Sequence, residues 1–456
     1  MSKQLESRNP EDNALLARYA QHPDATVDEK LDAVCQAQRD WAKARVSERC
    51  KHIKALGDAL RGHRQEYAEL MTLEMGKPIT QSEGEIDKCA WLCDYYAENA
   101  ESFLSPETID SSAERSEVLF RPLGNVLAIM PWNFPFWQAF RFAVPSIAAG
   151  NGVVLKHASN VSGCALAIED VFGEALPAGL LQTVLVSPDR AARLIGDPRI
   201  AAVTFTGSTG AGRKVGEAAG AALKKSVLEL GGSDPYVVLA DADVADAARI
   251  CTAARMINSG QSCIAAKRFI VENEIADDFE AEMLRQFSEL SVGSPKQTDT
   301  DVGPLARPDL ATTLANQVSE TLLQGAQQPI GQNAEPDGCF FAPTILTGVT
   351  ADMRAFQEEL FGPVAPIIRA DDADDAVALA NFSDFGLGGA IFSADTRRAW
   401  RLAADHIESG TVAVNGQVQS DPRLPFGGIR DSGYGRELGA FGIREFVNIK
   451  TVSAFG

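Results

Sequence analysis

The chain has 456 residues, of which 45% are hydrophobic, and a formal net charge of −20. This length supports more than one domain, and the acidic balance disfavours a nucleic-acid partner, since nucleic acids bind to basic surfaces. No apolar run of about 18 residues occurs, and the first residues lack the apolar core of a signal peptide, so we expect a soluble, cytoplasmic protein with no membrane span.

Neither the cysteines nor the histidines predict a metal site. The eight cysteines contain no Cys-x-x-Cys pair, and the five histidines contain no His-Glu-x-x-His arrangement. We therefore expect no bound metal. Cys89 and Cys93 lie one turn apart on a predicted helix, and we interpret them as packing residues.

In chain order, a helical region comes first and an alternating region follows. Helix-forming residues predominate from 11 to 105. Strands and helices then alternate, with a helix opened by Pro135, a residue suited to a first helical turn. The predicted strands are 116–124, 126–130, 152–159, 181–186, 201–208 and 226–232. This alternation predicts a parallel α/β sheet of the nucleotide-binding kind.

A second α/β pattern runs from residue 234 to about 420, and a last strand is predicted at 448–455. This last strand, "NIKTVSAF", has no neighbouring strand in the sequence. It therefore needs a partner from outside its neighbourhood.

Two predicted strand ends carry residues suited to a nucleotide. In "TFTGSTGAG" (204–212), Gly207 and Ser208 lie at a strand-to-helix turn, where free N–H groups can meet a phosphate. The Gly-x-Gly-x-x-Gly fingerprint is absent, so a plain tight turn stays open as an alternative. Lys156 ends another strand, where ligands of open α/β sheets bind, although a solvated lysine is also possible.

The stretch "NSGQSCIAAKR" (258–268) surrounds Cys263 with small and polar residues and places two cations just after it. A nucleophilic cysteine needs surroundings that favour the thiolate, whereas a buried cysteine is inert packing. The stretch alone leaves both interpretations open.

The motifs together resemble the aldehyde dehydrogenase superfamily, in order, in spacing and over essentially the whole chain. The motifs are "MPWNFP" (130–135), "TFTGS" (204–208), "LELGG" (228–232), "GQSC" (260–263), "EELFGPV" (358–364) and "PFGG…SGYGRE" (425–437). The stretches "ALKKSVLELGGSDP" and "AAKRFIVE" and the ending "GRELGAFGIREFVNIKTV" resemble more narrowly the bacterial succinate-semialdehyde dehydrogenases of the short type.

The resemblance implies an α/β protein with the aldehyde dehydrogenase fold: a Rossmann-like cofactor domain, an α/β catalytic domain and a small β oligomerisation arm. The implied bounds are 1–112 and 126–231 for the cofactor domain, 232–424 for the catalytic domain, and 113–125 and 440–456 for the arm, with 425–439 returning to the cofactor domain. The final strand would then add to a neighbouring subunit's sheet, in a homodimer or homotetramer.

The resemblance also implies a catalytic trio. Cys263 would attack the aldehyde, and the side chain of Asn133 and the backbone N–H of Cys263 would stabilise the resulting oxyanion. Glu229 would act as general base for the water that attacks the thioester. The alternatives are a buried inert cysteine, a helix cap for Asn133 and a structural ion pair for Glu229.

The implied cofactor is NAD(P). The residues that match the family's cofactor positions are Trp132, Lys156, Ser159, Gly207, Ser208, Leu230, Glu359 and Phe361. Relatives specific for NAD often carry glutamate at the position of Ser159, and without that carboxylate a 2′-phosphate is not repelled. We therefore expect NADP to be accepted beside NAD. His157 replaces the family's usual proline and is either a cation near that phosphate or simply exposed.

For the substrate, Arg141 matches the arginine that binds the substrate carboxylate in succinate-semialdehyde dehydrogenases, and it shares a helix face with Trp137. A structural salt bridge is the alternative. A second arginine of better-known relatives is replaced by Ile257, and Arg423 could take its place. Phe134, Trp137 and Phe426 would line the entrance, or else belong to the core.

The expected function is oxidation of an aldehyde to a carboxylic acid through a cysteine thiohemiacetal and thioester, with succinate semialdehyde as the favoured substrate. One alternative is a short-chain aldehyde dehydrogenase of broad specificity, with Arg141 purely structural. Another is a non-catalytic structural or binding protein on this scaffold, against which the intact trio of Cys263, Glu229 and Asn133 argues.

Overall fold

The computed structural model describes residues 4–331 and 338–455. Its strands are β1 (Gln4–Arg8), β2 (Leu15–Ala20), β3 (Glu107–Thr108), β4 (Arg115–Pro122), β5 (Asn125–Met130), β6 (Gly152–His157), β7 (Leu181–Thr183), β8 (Ile200–Thr206), β9 (Lys225–Glu229), β10 (Pro235–Val238), β11 (Arg268–Glu272), β12 (Gln327–Ile330), β13 (Thr344–Thr347), β14 (Val364–Ala370), β15 (Gly388–Phe392), β16 (Thr411–Val414), β17 (Gly433–Tyr434) and β18 (Val447–Ala454).

The helices in the same part of the chain are α1 (Asp24–Trp41), α2 (Val46–Gly62), α3 (Arg64–Met75), α4 (Ile79–Phe103), α5 (Pro135–Ala148), α6 (Ser162–Ala175), α7 (Pro188–Leu194), α8 (Thr209–Ala221), α9 (Val244–Met256), α10 (Ala276–Ser288), α11 (Pro308–Leu323), α12 (Arg354–Gln357), α13 (Ala373–Asn381), α14 (Thr396–Asp405) and α15 (Gly439–Glu445). Within the described ranges, no helix is long and apolar enough to cross a membrane.

The N-terminal region is helical, as predicted, except at its start. There β2 pairs antiparallel with β1, so the expectation of a helix from residue 11 is wrong for residues 15–20. Leu15 and Leu16 are exposed on this hairpin. The backbone pairing with β1 decides the conformation, and local helix propensity cannot register such a pairing. In the helices that follow, Cys89 and Cys93 are buried in the core, as expected.

The predicted nucleotide-type sheet is confirmed. Its strand order is β17-β9-β8-β5-β6-β7, and all pairs are parallel except β17 with β9. Because the carboxyl ends of parallel strands meet at one edge of a sheet, the segments after β5, β6, β8 and β9 lie together. The ends of these strands carry Lys156 and Glu229, and the segments that follow β5 and β8 carry Asn133 and Gly207.

A second sheet has the order β12-β13-β14-β11-β10-β15-β16, and Cys263 lies on the segment that joins α9 to β11. A third sheet has the order β18-β4-β3. There β18 pairs with β4 along its whole length, so the last strand does find its partner far away in the sequence. Its addition to another subunit stays a prediction, and so do the domain bounds. The third sheet also includes β3, which the predicted bounds place in the cofactor domain.

Candidate active site

A pocket of about 440 Å³ opens between α4, α5, the segment that carries Cys263 and the segment 417–426. Its wall contains the thiol of Cys263, the guanidinium of Arg141 and the predicted aromatic residues Phe134, Trp137 and Phe426. The structure therefore brings the predicted nucleophile and the predicted substrate arginine to one cavity.

The backbone just before Cys263 is strained. Asn258, Ser259 and Gly260 have φ angles of 52°, 54° and 78°, in the left-handed region that non-glycine residues rarely adopt. A Cβ on Gly260 would lie 2.2 Å from the carbonyl oxygen of Gly362, which explains the glycine of the "GQSC" motif. Such strain persists only where the surroundings hold the chain in place, and it is typical of functional sites.

Two buried cations hold this loop, and the sequence reasoning assigned a role to neither. The guanidinium of Arg255 donates hydrogen bonds to the carbonyl oxygens of Gly260 (2.8 Å), Leu360 (3.0 Å) and Gly362 (2.6 Å). The ammonium of Lys267 donates to the carbonyl of Cys263 (2.6 Å) and lies 3.3 Å from Glu359. Lys267 is one of the two cations that follow the cysteine in the sequence, and this position could have identified it as a residue of the site.

The surroundings of Cys263 favour the thiol over the thiolate. Burial raises its pKa to about 12, while the positive charges of Arg141 and Lys267 oppose the rise and the carboxylates of Glu359 and Glu229 add to it. Only the thiolate is nucleophilic. The site therefore needs a further positive charge or a base beside the sulfur before the cysteine can attack.

The two predicted oxyanion donors lie at the same turn. The side-chain amide of Asn133 donates to the carbonyl of Gln261 (3.1 Å), and the Asn133 carbonyl accepts from the side chain of Asn258 (2.7 Å). The backbone N–H of Cys263 has no acceptor within residues 4–331 and 338–455. Phe134 is the N-cap residue of α5, which has no side-chain cap bond, so the interpretation of Asn133 as a helix cap is wrong.

Glu229 ends β9 as a buried carboxyl group without a partner. Neither of its oxygens accepts a hydrogen bond in the described part of the chain. Burial raises its pKa well above the ordinary value, the nearby carboxylate of Glu437 raises it further, and Arg141 and Arg436 oppose this. The alternative role in a structural ion pair finds no support in these contacts.

Arg141 lies at the pocket, as predicted, and it also forms the structural salt bridge that the sequence offered as the alternative. It lies on the pocket wall, with its guanidinium carbon 4.7 Å from the ring centre of Phe426, and it also forms a buried ion pair with Glu437. Glu437 belongs to the "SGYGRE" motif, but the sequence reasoning gave it no role. The positive charge of the arginine is therefore already balanced by a carboxylate.

Arg423 does not reach the pocket wall. Its guanidinium pairs with both oxygens of Asp421 (2.9 and 2.6 Å), and its side chain is 64% exposed. It lies 5.4 Å from the ring centre of Trp91, a residue that does line the pocket. Lys88 of α4 lines the pocket instead and was missed. Gln81, Glu85 and Lys88, spaced four and three apart along one helix, were the signal that could have identified this polar face.

The carboxyl edge of the first sheet fits a dinucleotide. Lys156 is buried, and no described residue forms a hydrogen bond or ion pair with its ammonium, whose pKa burial lowers. Ser208 begins α8 without a side-chain cap bond, and a Cβ added to Gly210 would meet only open space. An unpartnered lysine beside an open helix N-terminus suits a ribose and a phosphate. Ser159 is exposed nearby, at the end of the β6 segment.

The remaining predicted cofactor residues lie between the two sheets. Glu359 accepts a hydrogen bond from the N–H of Gly232 (3.2 Å), and the rings of Trp132 and Phe361 meet edge to face at 5.8 Å. The N–H of Gly207 donates to the carbonyl of Glu229 (3.0 Å). Leu230 packs so tightly on Gly212 that a Cβ there would lie 2.3 Å from it.

His157 is neither a cation nor exposed, so both expectations for it are wrong. It is buried, one ring nitrogen lies 2.8 Å from the carbonyl of Pro135, and the other accepts from the N–H of Ala158 (2.9 Å). Burial lowers its pKa to about 4. The neutral ring fixes the start of α5 to the end of β6.

Comparison with known proteins assigns the chain to a family. The model of the aldehyde dehydrogenase family matches residues 1–452. A probable succinate-semialdehyde dehydrogenase [NADP(+)] of Synechocystis is 45% identical over 97% of this chain and 98% of its own length. The succinate semialdehyde dehydrogenase [NAD(P)+] Sad of Escherichia coli is 46% identical over 93% of this chain and 92% of its own length.

Among solved structures, the succinic semialdehyde dehydrogenase of Streptococcus pyogenes in complex with NADP+ superposes with a TM-score of 0.96. It is 35% identical, and the match covers 99% of this chain and 100% of that one. The family model, the relatives and the fold agree with the family resemblance of the motifs: the chain belongs to the aldehyde dehydrogenase family.

Proposed function

We propose that this aldehyde dehydrogenase oxidises succinate semialdehyde to succinate, with NADP and also with NAD as hydride acceptor. One observation carries the proposal: a single pocket of about 440 Å³ has a cysteine thiol and cationic side chains on its wall. A substrate with an aldehyde at one end and a carboxylate at the other matches these two chemistries. The names of the relatives from Synechocystis and Escherichia coli support the same substrate.

In the first step Cys263 adds to the aldehyde carbon as thiolate, and the carbonyl oxygen becomes an oxyanion. The side chain of Asn133 and the backbone N–H of Cys263 donate to it. One such preorganised donor lowers the activation free energy by about 3–4 kcal/mol in comparable sites. Lys267 and Arg255 act indirectly, because they hold the loop on which the thiol and its N–H lie.

NAD(P), when bound, accepts the hydride that leaves the substrate carbon. Lys156, Ser159 and Ser208 would hold its adenosine ribose and phosphates, and Glu359 would hold the nicotinamide ribose. Ser159 brings no negative charge to the ribose, so a 2′-phosphate can be accommodated. Since His157 is neutral and buried, Lys156 is the cation that favours this phosphate.

Glu229 completes the cycle by removing a proton from the water that attacks the thioester. Its buried carboxyl group has both oxygens free, so it can accept that proton once it is ionised. This base favours water as the acceptor of the acyl group over coenzyme A or phosphate.

We also propose that the chain assembles into a homodimer or homotetramer through the arm formed by β4 and β18. The support is the outer edge of β18, whose backbone groups have no partner strand in the described ranges. Unpaired strand edges of this kind pair readily with another chain.

The direct test mixes the protein with succinate semialdehyde and NADP. Absorbance at 340 nm should rise, and succinate should form in equal amount by mass spectrometry. Cys263→Ala should abolish both and still bind NADP. Succinate formed at a comparable rate by that variant would remove Cys263 from the mechanism.

A broad-specificity aldehyde dehydrogenase remains the second candidate, and the buried Arg141–Glu437 ion pair favours it. An arginine that already forms an ion pair with one carboxylate contributes less to binding the carboxylate of a substrate. Under this alternative butanal and succinate semialdehyde would be oxidised with similar efficiency.

A further inference from the structure

The charged groups around the pocket are paired with one exception. Arg141 is balanced by Glu437. On α4, Glu85 forms a buried ion pair with Lys77 and also accepts the N–H groups of Phe136 and Trp137. These groups leave no net charge on that part of the wall.

The exception is Lys88, one turn further along α4. The other carboxylate near it, Asp421, is held by Arg423 through both oxygens. No carboxylate of residues 4–331 and 338–455 lies within ion-pair distance of the Lys88 ammonium. Among the residues that the structure describes, the pocket therefore has one uncompensated positive charge, that of Lys88.

The position of Lys88 is fixed by its contacts. Its ammonium donates to the hydroxyl of Ser420 (2.9 Å) and lies 4.2 Å from the ring centre of Trp137. The indole N–H of Trp137 donates to the same hydroxyl (3.0 Å). An ammonium has three N–H donors, so those not used by Ser420 stay available to a ligand. Lys88, Trp137 and Ser420 all line the cavity that contains the thiol.

We propose that Lys88 is the cation that selects aldehydes bearing a distal carboxylate, because its ammonium can form an ion pair with that carboxylate. Arg141 is already paired with Glu437. This inference rests on the proposed function and names the residue that decides its substrate class. A half-buried ammonium with no other anion is well suited to the task, since charge-assisted hydrogen bonds are stronger away from bulk water.

The test measures kcat/KM for succinate semialdehyde and for butanal, which differ mainly in the terminal carboxylate. Lys88→Met keeps the length of the side chain and removes its charge. It should lower kcat/KM for the semialdehyde by about ten- to a hundredfold, through KM, and leave butanal within about twofold. Lys88→Arg should keep most of the preference. Lys51→Met, which removes an exposed charge from α2, is the matched control and should change neither value.

The outcomes separate the two claims. A wild-type preference for the semialdehyde that survives in Lys88→Met overturns the role of Lys88 and leaves the substrate standing. Equal losses on both aldehydes also overturn it, because Lys88 would then only support the structure. If the wild type itself shows no preference, the proposed substrate fails and the role of Lys88 fails with it. Lys88→Gln provides a second neutral variant should the methionine variant fold poorly.

Discussion

At the scale of single residues, burial dominates the chemistry of the active site. The same desolvation that raises the pKa of Cys263 also raises that of Glu229 and lowers that of Lys88. Burial disfavours the charged form of each of these groups, although Lys88, with a pKa lowered only to about 8, keeps its positive charge near neutral pH. Ligands that bring charge into the pocket therefore change the protonation of the residues that act on them.

Glu229 illustrates the cost of such a site for stability. Its pKa is raised in the folded protein above the ordinary value of 4.5. As pH rises above 4.5 the unfolded chain ionises this group more readily than the folded chain does, so its contribution favours folding less as pH rises. Glu229→Gln should therefore unfold at a higher Tm at pH 8 and gain little near pH 4.5, while its kcat falls by about a hundredfold or more.

Thermal unfolding at the two pH values, beside steady-state kinetics, checks this expectation. If the gain in Tm of Glu229→Gln over the wild type is no larger at pH 8 than at pH 4.5, Glu229 ionises without penalty in the folded protein.

Lys88 predicts a pH dependence of substrate choice. Burial and the positive charge of Arg141 lower its pKa to about 8, and Cys89, Glu85 and Asp421 oppose this. The ammonium is thus charged below about pH 8 and loses its charge above it, whereas the substrate carboxylate stays ionised. The ratio of kcat/KM for succinate semialdehyde to that for butanal should fall as pH rises through 8 and stay flat in Lys88→Arg. A flat ratio in the wild type would contradict this.

Residues inside short motifs could be assigned from the sequence, and residues that act across elements could not. Cys263, Asn133 and Glu229 lie in motifs, and the fold brings their segments together at two sheets. Arg423 looked equivalent to a substrate arginine, yet Asp421 two residues earlier holds it outside the pocket. The pairing of Arg141 with Glu437 joins residues on α5 and near the C-terminus, so only the folded chain reveals it.

At the scale of elements, the loop before Cys263 is the part of the site most sensitive to change. Gly260→Ala would place a Cβ 2.2 Å from a backbone oxygen at a φ of +78°, so the loop must shift. We expect a loss of about 1–3 kcal/mol in the free energy of unfolding and a lower kcat. The control is Gly220→Ala in α8, where a Cβ meets only open space and should stabilise by up to about 1 kcal/mol.

Denaturant unfolding of both variants and their steady-state rates check this pair of expectations. Gly260→Ala with unchanged stability and rate would show that the strained loop adapts freely.

At this scale, the sequence predicted the strands of the first sheet but not all of the strand pairings. The alternation of strands and helices predicted the first sheet, because parallel strands buried on both faces give apolar runs. The hairpin of β1 and β2 and the pairing of β18 with β4 depend on partners, and no local pattern specifies a partner.

At the scale of the whole molecule, the proposed subunit contact lies at the arm formed by β4 and β18. Ile449 and Val452 on β18 are 62% and 46% exposed, beside an edge with no partner strand in the described ranges. Ile449→Lys combined with Val452→Lys should shift the protein to a smaller assembly in light scattering. Leu323→Lys, at an exposed position on α11, serves as the control. An unchanged mass would remove the arm from the subunit contact.

The proposed substrate is tested most directly by kcat/KM for succinate semialdehyde and for butanal, each with NAD and with NADP. We predict a strong preference for the semialdehyde, of about tenfold or more, and turnover with both cofactors. Near-equal values for the two aldehydes would contradict it and leave a broad-specificity aldehyde dehydrogenase.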